Sequence, residues 1–318
     1  MSGKVMICLV GEQTIPNLLA VLHYKPAAVV LVHSDRTERH ATNFARVISA
    51  NTSSQTELCP AAAYDVAAAA TSIRTLLAQA QWRGQEFIFN LTGGTKAMVL
   101  AGYQVAAEHV GCKLIYVELR GIKSYCYEYT IEKDVLRQQG EPAELSGLLT
   151  IPLYLQASGL NWKDHNITDT DAAGTIFQRQ VEAVLLDAKA KRLLTDVLPS
   201  QDLLPDELDA DVLVLLGNRL GVVEIKQRKQ KNSKNEDNTH GSDGIEHLLT
   251  LTEQRYLGTF TVAIHVGNLK LGSVTQKLAN ARKIAHIQLG SWDGSTIDDK
   301  DKEKLVEEIT VAMGGASR

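Results

Sequence analysis

Three residues within Asp209 to Lys226 (DADVLVLLGNRLGVVEIK) have types and spacing suited to phosphodiester chemistry: Asp211, Glu224 and Lys226. Two apolar runs flank Gly217-Asn218, a two-residue turn signal in which glycine supplies the positive φ of a type II′ turn. Such a turn pairs Leu216 with Arg219, and the register then sets Asp211 directly opposite Glu224. Period-2 alternation puts Lys226 on the face of Glu224. Two carboxylates facing each other in so apolar a hairpin repel, and they are costly to bury unless positive charge lies between them. A divalent cation meets that need. Carboxylate oxygens on adjacent strands suit Mg²⁺ or Mn²⁺, which can hold a scissile phosphate and activate water. Lys226 is placed to orient that water or to neutralise transition-state charge. The alternative is a surface hairpin in which Glu224 and Lys226 are solvated. E-x-K alone is a common triplet, and its weight comes from Asp211 at the opposed position.

A basic run follows at once, with Lys226, Arg228, Lys229, Lys231 and Lys234. Arg228, Lys229 and Lys231 are candidate nucleic-acid contacts, since phosphate contacts supply most of the affinity in sequence-independent binding. By itself the run reads equally well as a solvated loop. The net charge of -4 excludes a general basic coat, so any nucleic-acid contact must be local. The polar stretch 229–244 is expected to be a mobile loop. His240 and His247 are expected to be surface or packing residues, because the hairpin needs no histidine. The four cysteines, Cys8, Cys59, Cys112 and Cys126, lack C-x-x-C spacing and read as core thiols rather than a zinc ribbon or disulfide framework.

A second constellation lies in the first half, at Asn90-Leu91-Thr92-Gly93-Gly94-Thr95-Lys96. Two glycines let backbone approach a ligand, Thr95 is placed to cap the next helix, and free N–H groups at a helix start attract an anion, with Lys96 adding charge. The loop is neither a Walker A sequence nor a G-x-G-x-x-G loop. A glycine turn serving only tight strand-to-helix packing is the competing explanation.

The elements that must position these residues follow from periodicity. Strands are expected at 5–10, 28–33, 87–91 and 114–118, and helices at 16–23, 37–50, 65–80 and 95–110, with Asp65 as a cap and a further strand at 125–131. That alternation predicts a doubly wound parallel sheet, an α/β fold in which ligands bind beyond the carboxyl ends of strands. The loops there also include Gly11-Glu12-Gln13-Thr14-Ile15-Pro16-Asn17 and His33-Ser34-Asp35. Thr150 is expected to cap a short helix at 151–157. A long helix over 171–194, with Ile176, Val181, Val184 and Leu185 on its apolar face, opens a second αβ domain. Beyond the hairpin, helices are expected at 245–256, 274–284 and 298–313, with strands at 259–266 and 286–289. The 318 residues suffice for two domains, and a composition with 44% hydrophobic and 22% charged residues is ordinary for a globular protein. No apolar run of about 18 residues occurs, so no membrane association and a cytoplasmic location are expected.

The hairpin resembles the PD-(D/E)xK nuclease fold, with Ala210 where a Pro often stands. FIFNLTGGTKA at 87–97 resembles the TGGTK-type loop of the CARF domain, a Rossmann-like sensor of cyclic oligoadenylates in type III CRISPR systems. VGEQTIPN and LVHSD are similar to that family's other binding loops. Together, in this order, they resemble the CARF-fused ancillary nucleases. The resemblance implies a CARF domain over 1–139, a connector over 140–170 and a restriction-endonuclease-like domain over 171–318. It further implies a homodimer whose shared pocket binds cyclic tetra-adenylate and activates metal-dependent cleavage of DNA or RNA. Gly11, Glu12, Gln13, Thr14, Asn17, His33, Ser34, Asp35, Thr92, Gly93, Gly94, Thr95 and Lys96 would line the pocket. Asp211, Glu224 and Lys226 would be catalytic, the two carboxylates as metal ligands.

One feature departs from that pattern. Related nucleases carry a Glu on the helix before the hairpin where Gln178 stands here. Glu182, one turn later on the same face, is the substitute catalytic and metal-ligating residue, or else an ordinary solvated helix charge. A second reading is therefore a sensor that binds cyclic oligoadenylate without nuclease turnover, and a third is a sensor half that itself degrades its ligand.

Overall fold

The computed structural model describes residues 3–133, 135–165, 172–204, 206, 208–228, 243–253, 256–258 and 260–314. The chain divides into two compact units, Met1–Leu149 with Gln156–Gly159 and Thr150–Leu155 with Leu160–Arg318.

The first unit alternates strand and helix: β1 (Lys4–Leu9), α1 (Ile15–Tyr24), β2 (Ala28–His33), α2 (Glu38–Asn51), β3 (Gln55–Pro60), α3 (Val66–Leu77), β4 (Glu86–Asn90) and α4 (Lys96–Ala107). Four antiparallel or edge strands follow, β5 (Lys113–Arg120), β6 (Lys123–Glu132), β7 (Val135–Gln138) and β8 (Ala143–Glu144). The sheet order is β3-β2-β1-β4-β5-β6-β7, parallel from β3 to β5, with β8 on β6. β1 and β2 are buried runs of Val, Ile and Leu, as strands covered on both faces must be. Leu9, Val30, Val32 and Phe89 pack against Ala69, Ile73, Met98 and Val105 of α3 and α4 in one core cluster. Asp65 and Thr95 cap α3 and α4 by accepting from the Ala68 and Met98 backbone N–H groups. All four cysteines are buried free thiols. β3 has no counterpart in the sequence-based expectation, because its polar QTELCP pattern lies at the sheet edge.

α5 (Ile151–Ala157) is divided between the units after Leu155. The second unit continues with β9 (Asn161–Asp164), α6 (Ala173–Ala190), β10 (Asp196–Leu204), β11 (Leu208–Leu216), β12 (Arg219–Lys226), α7 (Asp243–Leu251), β13 (Val262–Gly267), α8 (Ser273–Ala281), β14 (Ala285–Gln288) and α9 (Asp299–Ala312). Its sheet runs β14-β13-β12-β11-β10-β9, antiparallel from β9 to β12 and parallel from β12 to β14. The hairpin is thus the middle of a sheet rather than a surface ribbon. On α6 the buried residues are Phe177, Val181, Leu185 and Ala188, while Ile176 and Val184, expected on that face, are only half-buried. Phe177 takes the position by stacking edge-on against Trp292, ring centroids 5.0 Å apart. β10 was not expected: Pro199 and Ser200 interrupt its pattern, and Ser200 has φ 47 where the pairing skips from Pro199↔Val212 to Gln201↔Ala210.

Candidate functional site

Gly217 has φ 60 and the register runs from Leu216↔Arg219 to Val212↔Val223, so the next positions along it are Asp211 and Glu224. Both carboxylates are buried, Glu224 to 1% exposure and Asp211 to 9%. The two oxygens of Glu224 have different partners. Oε1 lies 2.5 Å from Lys226 Nζ and Oε2 lies 3.0 Å from His247 Nδ1. Asp211 Oδ2 accepts from the Ile225 N–H at 2.7 Å. Burial, and then the charge of Glu224, raise the Asp211 pKa. Burial opposes the Lys226 ammonium, but Glu224 and Asp211 outweigh it and its pKa is raised as well.

His247 corrects the sequence-based expectation that it is a packing or surface residue. Its hydrogen bond to Glu224 raises its pKa against the effect of burial, and its Nε2 stands 3.4 Å from Asp209 Oδ1. The first turn of α7 sits directly on the carboxylate: a Cβ added at Gly244 would lie 3.0 Å from Glu224 Cγ and 3.3 Å from Lys226 Cγ. On β13, His265 is the partner of Glu224 and bonds His286 through the two Nδ1 atoms at 3.0 Å. Burial, with His286, Arg228 and Lys226 nearby, lowers the His265 pKa to about 3.

Glu182 is held by a neighbour on its own helix and by one on β10. Its Oε1 accepts from Ser200 Oγ at 2.7 Å and from Gln178 Nε2 at 3.0 Å. Among the described residues, no group of three or more His, Cys, Asp and Glu side chains is arranged to hold a metal ion. Asp211 and Glu224 fit a hard divalent cation in chemistry and in placement on adjacent strands, while Glu182 does not complete the set. Arg228 exchanges backbone hydrogen bonds with the Asn268 amide, at 2.8 Å in each direction, which secures the exit of β12. Lys229, Lys231, Lys234 and His240, with the loop expected over 229–244 up to residue 242, lie outside the described residues.

In the first unit the loops after β1, β2 and β4 hold the other set. Their interior is a chain of neutral hydrogen bonds: Asn90 Nδ2 donates to Asn17 Oδ1, Asn17 Nδ2 to Leu9 O (both 2.9 Å), Thr92 Oγ1 to Asn90 Oδ1 (2.6 Å), and the Val117 N–H to Thr92 Oγ1 (2.8 Å). A Cβ at Gly93 would meet Leu9 O at 2.1 Å, and one at Gly11 would meet Gly94 N at 3.2 Å, so the loops after β1 and β4 touch through glycine backbone. Gly94 has φ 75. Asn17 is buried with both amide atoms engaged and ties the loops together, and Thr14 donates its hydroxyl to Ala157 O at 2.6 Å. Thr95 caps α4 and also donates to Ala63 O. Ser34 and Thr37 close a reciprocal capping box. Exposed at these loops are Glu12, Gln13, Asp35 and Lys96. His33 is 3% exposed and its Nε2 has no hydrogen-bond partner among the described residues. Sequence reading missed the structural part of Asn90, and Arg36, which pairs with Glu12 at 2.5 Å across two loops. The one available signal was their place, Asn90 as the last residue of β4 and Arg36 in the loop after β2.

The Card1 CARF domain family matches residues 5–138. Among solved structures, Can2 from Sulfobacillus thermosulfidooxidans in complex with cyclic tetra-adenylate is similar over 98% of this chain and 99% of its own, with TM-score 0.72 and 15% identity. Protein VC1899 from Vibrio cholerae gives TM-score 0.70 at 14% identity over 98% of this chain and 99% of its own. A type III CRISPR defence DNA nuclease activated by cyclic oligoadenylate gives TM-score 0.63 at 16% identity, covering 96% of this chain and 52% of the nuclease. At such identities the likeness is one of fold. No curated protein matches the sequence significantly. Among the described residues no helix is long and apolar enough to cross a membrane.

Proposed function

We propose that the protein is a cyclic-oligoadenylate-activated, metal-dependent nuclease. In this reading residues 1–139 are a CARF sensor, 140–170 a connector and 171–318 a PD-(D/E)xK nuclease domain. The observation that carries the reading is Glu224, fully buried in mid-sheet, next to Asp211 in register and bonded to Lys226. Burying two carboxylates so close is costly to folding, and a site for phosphodiester chemistry accounts for the cost. Asp211 and Glu224 would hold Mg²⁺ or Mn²⁺, which when bound supplies Lewis acidity toward a phosphodiester. Lys226 remains fixed by Glu224 and offers its ammonium to the scissile phosphate.

The sensor half of the proposal rests on the family match and on the polar loops. Exposed Lys96, the start of α4 and the unpartnered His33 Nε2 suit an anionic, base-bearing ligand. A cyclic oligoadenylate is symmetric, so a homodimer with an isologous interface is the assembly that meets it, and cyclic tetra-adenylate is the activator proposed. Activation requires that this ligand bind the active arrangement better than the resting one.

The test is cleavage of supercoiled plasmid, single-stranded DNA and single-stranded RNA in Mn²⁺ or Mg²⁺, with and without cyclic tetra-adenylate. Activator-dependent cleavage is expected, falling by about 10³-fold or more in Glu224→Ala, since loss of a metal site removes several kcal/mol of transition-state stabilisation. Equal cleavage by wild type and variant would end the assignment. The engagement of Glu182 by Ser200 and Gln178 favours a second reading, a sensor that binds the same ligand without turnover. Tight activator binding with no cleavage in any metal would select it.

A further inference from the structure

We propose that His247 is a positioning residue of the hairpin site, holding Glu224 from helix α7 in the support that helix α6 does not give; this rests on the nuclease reading. Glu224 is 1% exposed, so each of its oxygens needs a partner inside the protein. Lys226 takes Oε1, and His247 takes Oε2 at 3.0 Å. Lys226 belongs to the same strand and cannot fix the carboxylate against rotation alone. His247 approaches from another element, so its hydrogen bond to Glu224 ties β12 to α7, while its second nitrogen, which has no hydrogen-bond partner among the described residues, stands 3.4 Å from Asp209 on β11.

The seat of α7 is tight enough to make this geometry specific. Gly244 lies so close that an added Cβ would come within 3.0 Å of Glu224 Cγ and 3.2 Å of His265 Cδ2. A side chain there would push the helix start, and with it the imidazole, off the carboxylate. Meanwhile Glu182 of α6 is committed to Ser200 and Gln178. Partners that orient a ligating carboxylate matter nearly as much as the ligand, typically about 10–100-fold in metal affinity or activity.

Full-length wild type, His247→Ala, His247→Leu, His247→Gln and Glu224→Ala are compared by Mn²⁺ binding, followed by electron paramagnetic resonance, and by cleavage kinetics with cyclic tetra-adenylate present. Ala and Leu remove the donor, and Leu keeps much of the ring's volume; Gln retains a donor for Glu224. Expected are a loss of about 10–100-fold in Mn²⁺ affinity or kcat for Ala and Leu, an unchanged KM for nucleic acid, and recovery by Gln to within about threefold of wild type. Circular dichroism establishes that each variant is folded. Wild-type Mn²⁺ affinity and kcat in a folded Ala or Leu variant overturns the assignment of His247, as does Gln behaving no better than these. Wild-type protein that neither binds Mn²⁺ nor cleaves overturns the nuclease reading itself, and the positioning role with it.

Discussion

The strand-end loops of the first unit and the β11–β12 hairpin of the second both bury polar groups, and they satisfy them by opposite means. In the loops the buried groups are neutral. Asn17, Asn90 and Thr92 pair with one another and with backbone, while Glu12, Asp35, Arg36 and Lys96 carry their charge on the exposed side. In the hairpin the buried groups are ionisable, with the Glu224 and Asp211 carboxyls set against Lys226 and His247. Neutral networks lose little on burial once every partner is present, whereas buried charges retain a cost even when paired. The first arrangement suits a preformed cradle; the second leaves electrostatic free energy available to a cation and a phosphate.

The comparison breaks most readily at Gly93. Its absent side chain is what lets the loops meet, so Gly93→Ala should cost about 3 kcal/mol, at the upper end for overpacking, read as a lowered urea midpoint of the full chain. An unchanged midpoint would show that the loops are loose rather than a fitted cradle.

Asp211→Asn sharpens the other side. With a folded-state pKa raised from 3.8 to about 7, Asp211 keeps in the native state a proton that the unfolded chain has released. Its contribution therefore turns unfavourable as pH rises from about 4 to 7 and is at its worst above 7. Asparagine can still accept from the Ile225 N–H and carries no charge, so in EDTA the variant should be more stable than wild type by on the order of 2 kcal/mol at pH 8 and about equal at pH 4. A gain independent of pH would mean that the burial of charge is not what distinguishes the hairpin.

Lys96→Ala has the smallest expected effect, because the residue is an exposed charge at the rim of a network that stands without it. Calorimetric titration should show cyclic tetra-adenylate binding weakened by about tenfold, with the cleavage rate at saturating activator unaltered. If affinity is unchanged, Lys96 does not face the ligand.

Where the physics is local, the sequence determined the outcome. Gly217-Asn218 and the alternation around it settle the register from Leu216↔Arg219 to Val212↔Val223, beyond which Asp211 and Glu224 come next, and Lys226 lies on the side of Glu224, which it bonds. The caps Asp65, Thr95 and Asp298 each bond the backbone N–H three residues on, a contact within reach of one helical turn. The alternation of β1 to α4 follows from apolar periodicity for the same reason. Only tertiary structure decided the rest. β10 has no clean period, and its pairing with β9 and β11 places it. Gln178 and Glu182 share a helix face on spacing alone, but Ser200, presented from a residue at φ 47, determines where Glu182 points. His247 stands 23 residues from Glu224, and no periodicity links them. A histidine's role depends on which buried charge it meets. That meeting is set by the packing of α7 on β12, which rests on a glycine whose missing side chain matters only once the two elements are together.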